Sequence, residues 1–339
     1  MLGYILRRVV QAIPVFLGVT FVVFLLLYIT PGDPVELYLG QGGTVSPEEV
    51  ARIRREFGLD RPFLEQYGRF LWRVVRGDLG QSIAYRRPVA RLLGERIPAT
   101  VELTLFAALI ALLVGIPAGV VAAVRRRSLL DAAGTIVSLI AVSMPGFWLG
   151  LILILLFSVT LRVLPVAGRM AYGTGLEPQT GFLLLDAVLQ GNAPAALDVL
   201  RHLVMPAIAM SAGMMAMTMR LTRSSLLETI GQDYVRTARA KGLPEARVVL
   251  RHGLRNALLP VVTAIALNLG ALLGGNMVVE TVFAWPGLGQ LVVEAVRNRD
   301  YPLVQGGVLF YAGVFVLLNL AADLSYAFLN PRISHGQGE

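Results

Sequence analysis

Six stretches of the sequence contain no aspartate, glutamate, lysine or arginine, consist mostly of apolar residues and are 18 to 30 residues long. A helix needs about 20 apolar residues to cross the hydrocarbon core of a bilayer. The mean hydropathy of +0.67 and the charged fraction of 15% are also typical of a membrane protein. The pattern therefore predicts an all-α membrane protein with six transmembrane helices, at about 9–30, 101–124, 132–158, 203–222, 256–279 and 303–326.

The charged residues are distributed unevenly between the two sides of these spans. An even number of spans places both termini on one side, where the segments carry 14 basic and 6 acidic residues, against 16 of each on the other side. Short loops rich in arginine and lysine stay in the cytoplasm, so we expect both termini to be cytoplasmic. A cleaved signal peptide is the alternative for the first run, but its 22 residues exceed the about 7–15 of a signal-peptide core.

The polar segments divide the chain into three regions. Residues 1–98 hold the first span and an extracytoplasmic insert, residues 99–330 hold the other five spans with the cytoplasmic loop 223–255, and residues 331–339 form a cytoplasmic tail. The second long outside segment, 162–201, contains FLLLDAVLQ and PAALDVLRHL. Each of these two pieces predicts a short amphipathic helix that is too short to cross a membrane.

The extracytoplasmic insert is itself predicted to be helical. SPEEVARIRREFGL has Ser46 as an N-cap and Pro47 at the first helical position. A second helix is predicted from FLEQYGRFLWRVVRGDLGQS, whose apolar residues recur at helical spacing: Phe63, Tyr67, Phe70, Leu71 and Val74. Both helices are amphipathic, so we expect them to form a packed cap on the other helices or on the membrane surface.

Several kinds of chemistry are excluded by residues that the chain lacks. The only lysine, Lys241, follows Ala240 rather than a glycine, so the chain has no phosphate-binding Walker loop and is not expected to be an enzyme that hydrolyses ATP. The three histidines are far apart and there is no cysteine, so neither a metal site nor a cofactor is expected. Asp323 is expected at the membrane interface, and a proton-relay role is the alternative.

The basic segment DYVRTARAKGLPEARVVLRHGLRNALLP, residues 233–260, has the pattern of two helices joined by a tight turn. DYVRTARAK predicts a short helix, and Gly242 follows it where a helix commonly ends in a left-handed residue. Pro244 and Glu245 then predict the start of a second helix, with proline at its first position and an acid in its first turn.

Three interpretations of this segment assign it different partners. Val235, Ala238 and Gly242 share one face of the first helix, and small residues there would let another protein approach closely. A DNA-binding helix-turn-helix is the second interpretation, but a segment tethered between two spans leaves little room for a duplex, so no nucleic acid is expected. A purely topogenic role, the third, accounts for the basic charge but not for the turn.

The segment resembles a known family. YVRTARAKGL followed by LRHGLRNALLP is similar to the EAA loop of binding-protein-dependent ABC importer permeases, and most similar to the B-type subunit of the dipeptide, oligopeptide and nickel branch. Arg236, Thr237 and Ala238 stand where the general pattern has Glu-Ala-Ala, whereas Gly242 keeps its position. The resemblance covers nearly the whole chain through LRRVVQAIPVFLGVTFVVFLLLYITPGDP, FGLDRPFLEQYGRFL, GDLGQS, RIPATVELTL, MPGFWLGLILILLFSVTLRVLP, VVETVFAWPGLGQLVVEAVRNRDYPLVQG and NPRI.

This resemblance implies a type I importer permease with a MetI-like fold in the prokaryotic inner membrane. The implied partners are a second, C-type permease subunit, two separate ATP-binding subunits and an extracytoplasmic substrate-binding protein. The residues implied in ATPase coupling are Asp233, Tyr234, Arg236, Thr237, Ala238, Arg239, Ala240, Lys241 and Gly242. The implied cargo is a peptide, with a nickel chelate or glutathione as the alternative. A secondary transporter is disfavoured because internal repeats and intramembrane charge are lacking.

The fourth and fifth spans carry weaker signals. Met214 and Met217 lie in a run that holds six of the ten methionines, and flexible methionines suit a translocation path that accepts varied substrates, with gap-filling as the alternative. Asn268 either lines that path or joins two helices, because a polar group in this span needs a hydrogen-bond partner. Gly270 and Gly274 have the spacing of a helix-packing face.

Overall fold

Helices make up the fold of the described residues, which in this computed structural model are 2–29, 60–273 and 277–329 with the isolated positions 48, 51, 52 and 55. The helices are α1 (Leu2–Ile29), α2 (Phe63–Val75), α3 (Val89–Val124), α4 (Leu129–Ser143), α5 (Gly146–Leu153), α6 (Leu183–Leu189), α7 (Ala193–Ile230), α8 (Asp233–Ala240), α9 (Glu245–Arg247), α10 (Arg255–Leu273), α11 (Met277–Val282), α12 (Leu288–Arg297) and α13 (Tyr301–Leu329). Two π-helical segments, Ile154–Thr160 and Val248–Leu254, follow α5 and α9.

Long apolar helices occupy the predicted spans. Among the described residues, stretches of α3, α7 and α13 are each long and apolar enough to cross a membrane, and α4 with α5 and its π-helical extension adds a fourth if the bent pair is one span. The first and fifth predicted spans correspond to α1, with the apolar stretch Val10–Leu25, and to α10. The all-α membrane class is confirmed, and the count of six spans stays a prediction.

The third predicted span, 132–158, is not one straight helix. The chain breaks between α4 and α5 and bends by 105° there. The break follows from Pro145, which lacks a backbone N–H and disfavours a helical conformation at Met144. Met144 is extended, with ψ 125°, and Pro145 is the N-cap of α5. Pro145 therefore sets where α4 ends and α5 begins.

The second long outside segment differs from its prediction at one of its two helices. FLLLDAVLQ forms α6 as predicted, but PAALDVLRHL is the first part of the 38-residue helix α7 and not a separate element. The side chain of Asn192 accepts a hydrogen bond from the backbone N–H of Ala195 at 3.1 Å and caps this helix. Pro206 lies inside α7, so it neither begins nor ends a helix.

The chain forms two compact units, residues 1–97 with 291–316 and residues 98–290 with 317–339. In the first unit, α2 packs on α1 through aromatic rings, with ring centroids 5.5 Å apart for Phe21 and Tyr67 and 5.4 Å for Phe24 and Phe63. The predicted apolar face of the second insert helix is therefore confirmed.

The first predicted helix of the insert, residues 46–59 with its N-cap Ser46, lies mostly outside the described residues. The tail 331–339 also lies outside them.

In the second unit, α3, α6 and α7 enclose an apolar core around Leu103, Val199 and Leu203. Trp285 is buried in the same core, and its indole N–H donates to the carbonyl oxygen of Ala99 at 2.9 Å. The segment before α6 is fastened to α3 by an ion pair between Arg169 and Glu102, with 2.6 Å between nitrogen and oxygen.

Two glycines of α3 bring it close to α7. A Cβ atom on Gly115 would lie 2.8 Å from the carbonyl oxygen of Met215, and one on Gly119 would lie 2.6 Å from that of Met219. No side chain fits at either distance, so the four-residue spacing of these glycines lets the two backbones meet. Sequence reasoning missed this pair, although GIPAG shows the same spacing as Gly270 and Gly274. Gly274 lies outside the described residues, so that packing prediction stays a prediction.

Candidate functional site

Helix α8 ends in a backbone turn that its sequence specifies. Gly242 has φ +72°, as predicted, because glycine adopts the left-handed region without steric cost. Its N–H donates to the carbonyl of Arg239 at 2.9 Å, and the N–H of Leu243 donates to that of Ala238 at 3.4 Å. These two bonds form a Schellman motif, with Lys241 as the C-cap. The helix is therefore one residue shorter than predicted.

An ion pair bridges this turn on its solvent side. The Arg239 guanidinium donates to both carboxylate oxygens of Glu245, at 2.7 and 3.1 Å. This hydrogen bonding lowers the pKa of Glu245 and raises that of Arg239. Pro244 is the N-cap of α9, one position before the first helical position at which it was predicted.

One face of α8 packs on its own chain. Val235 and Ala238 are 0% and 6% exposed, and they contact Val248 and Leu243. The prediction that these two residues receive another protein is therefore wrong. Their apolar side chains are covered by the next segment of the same hairpin, because this is the nearest apolar surface.

The remaining predicted coupling residues lie at the surface. Eight of the nine are exposed, and Ala238 is the buried one. The face of α8 opposite Ala238 presents Arg236, Thr237 and Ala240; Ala240 comes four residues after Arg236 and three after Thr237, so it shares one side of the helix with both. This face is the one that another protein can reach.

A side-chain contact ties α8 to the start of α10. The amide of Asn256 donates to the hydroxyl of Tyr234 at 2.8 Å, and that hydroxyl donates to the carbonyl oxygen of His252 at 3.4 Å. His252 belongs to the π-helical segment, which is packed against α7 where Gly253 leaves room for Leu226. Tyr234, although half-exposed, therefore holds α8 in place beneath α7 and α10.

The surface around α8 is basic. Its acids Asp233 and Glu245 each contact an arginine, at 3.4 Å and 2.7 Å respectively. Apart from the two arginines of these pairs, the other charged side chains between Asp233 and Arg255 are exposed cations: Lys241, Arg247, Arg251 and Arg255. A partner with an acidic surface would complement it.

The predicted path residues Met214, Met217 and Asn268 line a groove between α7 and α10 that is too narrow to hold a water molecule. Met214 is 6% exposed and packs against Ala108 and Ala111, whereas Met217 is 37% exposed. Asn268 donates to the carbonyl of Ala264 at 2.8 Å and to the sulfur of Met217 at 3.3 Å. Asn268 thus bonds within its own helix and also reaches the neighbouring one.

A polar pair that sequence reasoning missed joins α4 to α7. The Arg223 guanidinium donates to both carboxylate oxygens of Asp131, at 2.6 and 2.9 Å. The backbone N–H of Arg127 donates to the same carboxylate at 3.0 Å. The two partners are 92 residues apart in the sequence. The only local signal is that Asp131 is the sole acid in the basic loop RRRSLLD.

Comparison with known proteins places this architecture in one family. Residues 115–335 match the model of the binding-protein-dependent transport system inner membrane component, and residues 1–104 match that of its N-terminal region. The chain is 46% identical over 338 residues to the dipeptide transport system permease protein DppB of Escherichia coli (strain K12), covering 99% of both chains. It is 46% identical over 335 residues to the di/tripeptide transport system permease protein DppB of Pseudomonas aeruginosa (strain UCBPP-PA14), again covering 99% of both.

A third relative is also named as a permease of a dipeptide transport system. The probable D,D-dipeptide transport system permease protein DdpB of Escherichia coli (strain K12) is 42% identical over 325 residues, which are 95% of this chain and 94% of that protein. The family matches together span most of the sequence, and the relatives align over nearly their full length. The chain belongs to the family of inner membrane components of binding-protein-dependent transport systems.

Proposed function

We propose that this chain is the permease subunit of an ATP-driven importer of short peptides, and that α8 is its contact with a separate ATPase. The observation that supports the coupling role is that α8 is fixed on one side and exposed on the other. Its backbone is held by the turn at Gly242, the contact of Tyr234 and the buried Val235, whereas the side with Arg236 and Thr237 is exposed. A short helix that is fixed in this way moves as a rigid body, so it passes a displacement on to the helices that it contacts.

The peptide cargo rests on the relatives. Their names specify dipeptides, di/tripeptides and D,D-dipeptides, at 42 to 46% identity and nearly full coverage. A nickel chelate or glutathione has no comparable support. Members of this family are transport components, and ATP hydrolysis is carried by separate subunits. This division of roles agrees with the lack of a glycine before Lys241.

The proposal includes the partners and the orientation. The chain pairs with a second, C-type permease subunit, the two ATPases lie on the side of α8, and a substrate-binding protein delivers peptide from the other side. The basic surface around α8 supports a cytoplasmic position for it, with both termini on the same side. Met217 and Asn268 contribute to the translocation path, because they are polarizable or polar groups at the groove between α7 and α10.

Site-directed cysteines test the coupling role and the orientation together, because the chain has no cysteine of its own. Thr237→Cys places a thiol on the exposed face of α8, and Tyr172→Cys places one in the exposed outside segment 162–201. We expect Thr237→Cys to cross-link to the ATPase and to resist a membrane-impermeant thiol reagent in intact cells. Tyr172→Cys is the control, which should react with that reagent and not cross-link. Labelling of Thr237→Cys from outside would contradict the proposal.

A further inference from the structure

Helix α4 contacts its unit through a narrow stripe of small and polar residues. Asp131 and Ser138 are buried, and Gly134 and Ala141 are half-buried, so the stripe has one residue per turn. Four large aliphatic residues in the middle of α4 are more than half exposed: Ile136, Val137, Leu139 and Ile140. Glycine, serine and alanine bury little apolar area, so the burial of apolar surface contributes little to this contact. The attachment of α4 to α7 therefore depends on a few specific contacts.

The strongest of these contacts is the pair of Asp131 with Arg223. Both N–H···O distances, 2.6 and 2.9 Å, are those of charge-assisted bonds, and the two-pronged geometry fixes direction as well as distance. The carboxylate is 8% exposed and the guanidinium is 29% exposed, so water competes little for the carboxylate. One turn further along α4, Gly134 lies against the terminal methyl of Met219. The ion pair of Asp131 and Arg223 is thus the contact that fixes the direction of α4 where it packs on α7.

Arg223 is well placed to receive movement from α8. It lies seven residues before Ile230, the last residue of α7, which is about 10 Å along the helix axis. Between these two positions Leu226 packs with Val249 of the π-helical segment and with Ala257 of α10. A displacement of α8 would therefore reach Arg223 through a continuous helix with packed side chains.

We propose that Asp131 and Arg223 are positioning residues, forming the link through which a displacement of α8 moves the broken third span. The inference rests on the proposed coupling role of α8. The ion pair anchors the first turn of α4, while the stripe of Gly134, Ser138 and Ala141 lets the rest of the helix slide on its neighbours. The bend at Pro145 then allows α4 to shift relative to α5. Without the pair, α7 would move and α4 would lag behind.

The test uses the complete transporter with its second permease, ATPases and binding protein, reconstituted in proteoliposomes. We expect Asp131→Asn and Arg223→Gln each to lower dipeptide uptake per ATP hydrolysed at least fivefold, with ATP hydrolysis retained. Arg223→Lys, which keeps the charge, should restore most of the ratio. Arg220→Gln is the matched control, because Arg220 is an exposed arginine one turn earlier on α7. An equal loss in Arg220→Gln would overturn the inference, since general basic charge would then explain it.

A distance measurement keeps the inference testable if a variant folds poorly. Spin labels at Leu130→Cys and Ser224→Cys, both exposed, report the separation of α4 from α7. We expect one narrow distance distribution in the otherwise unchanged chain through the ATP cycle, and a broader one after Asp131→Asn. The Thr237→Cys cross-link to the ATPase should persist in Asp131→Asn. Its absence from a chain with Asp131 intact would contradict the proposed function itself. An unchanged distribution with an unchanged uptake ratio in Asp131→Asn would show that the pair is not the link.

Discussion

Replacing Gly242 with valine tests whether the end of α8 matters for coupling. The residue has φ +72°, and no heavy atom of the described chain, apart from its own neighbours, would lie within 4 Å of an added Cβ. The change therefore acts through backbone strain and not through crowding inside the chain. A non-glycine residue in the left-handed region costs about 1–2 kcal/mol, and a β-branched side chain is worse there. About 1.4 kcal/mol changes an equilibrium constant tenfold, so we expect the ratio of the left-handed turn to its alternatives to fall about tenfold and ATP-dependent uptake to fall by up to about tenfold.

Two further variants separate strain from other effects. Gly242→Asn should keep most of the uptake, because asparagine visits the left-handed region more readily than other non-glycine residues. Gly191→Val is the matched control, since Gly191 follows the end of α6 with φ +64° and has equally open surroundings among the described atoms. The strain is then the same, but it lies on the opposite side of the predicted membrane. Uptake and ATP hydrolysis are measured in proteoliposomes, and thermal unfolding reports the folded fraction.

Two results would refute this reasoning. Normal uptake by a folded Gly242→Val protein would show that the left-handed turn is not needed for coupling. A loss of the same size in Gly191→Val would show that general destabilisation, and not the position of α8, sets the rate.

Three other perturbations have definite expectations. Gly119→Ala should destabilise the chain by about 1–3 kcal/mol, because its Cβ would lie 2.6 Å from a carbonyl oxygen of α7; Gly94→Ala, with open surroundings on the same helix, should not, and thermal unfolding compares the two. The pKa of Glu245 is lowered in the folded turn, so its ion pair stabilises the turn above the ordinary pKa of 4.5 and is lost as pH falls through the lowered pKa. Hydrogen exchange of the α8 backbone amides should therefore accelerate only in that acidic range, by a factor that corresponds to under about 1 kcal/mol of lost stability. Met217→Leu should narrow the range of peptides taken up, while Met214→Leu in the core should not. If the Met217→Leu protein takes up the same range of peptides as the unchanged protein, both methionines serve in packing.

Local signals in the sequence predicted local structure well. The apolar spacing from Phe63 to Val74 identified the face by which α2 packs on α1, because the period of a helix fixes which residues share a side. Gly242 marked the end of α8, because few other residues adopt its backbone angles. Pro145 marked the break in the third span, but proline sets only the place of a break, and the angle of 105° depends on what each half packs against.

Signals that depend on a distant partner were missed or misread. Val235 and Ala238 form a small apolar face, and nothing local says whether such a face meets another protein or its own chain. In the folded chain Val248, which follows the turn at Gly242, packs against Val235 and Ala238. The pair of Asp131 and Arg223 is likewise invisible along the sequence, since either residue alone reads as an ordinary loop or helix-end charge. Tertiary geometry, not composition, brings them together.

Helix α4 reverses the usual ranking of buried residues. On α4 the aliphatic residues Ile136 and Leu139 point outward, and glycine, serine and aspartate point inward. Where lipid is the solvent, burying leucine gains little, so close backbone contact and a few polar bonds hold helices together. An added methyl at Gly119 should therefore do more harm than a methyl removed from Leu139. The same reversal bears on transport. A helix held by small residues exposes no additional apolar surface to water when it slides within lipid, so the cost of moving α4 lies mainly in the directional contacts that must move with it.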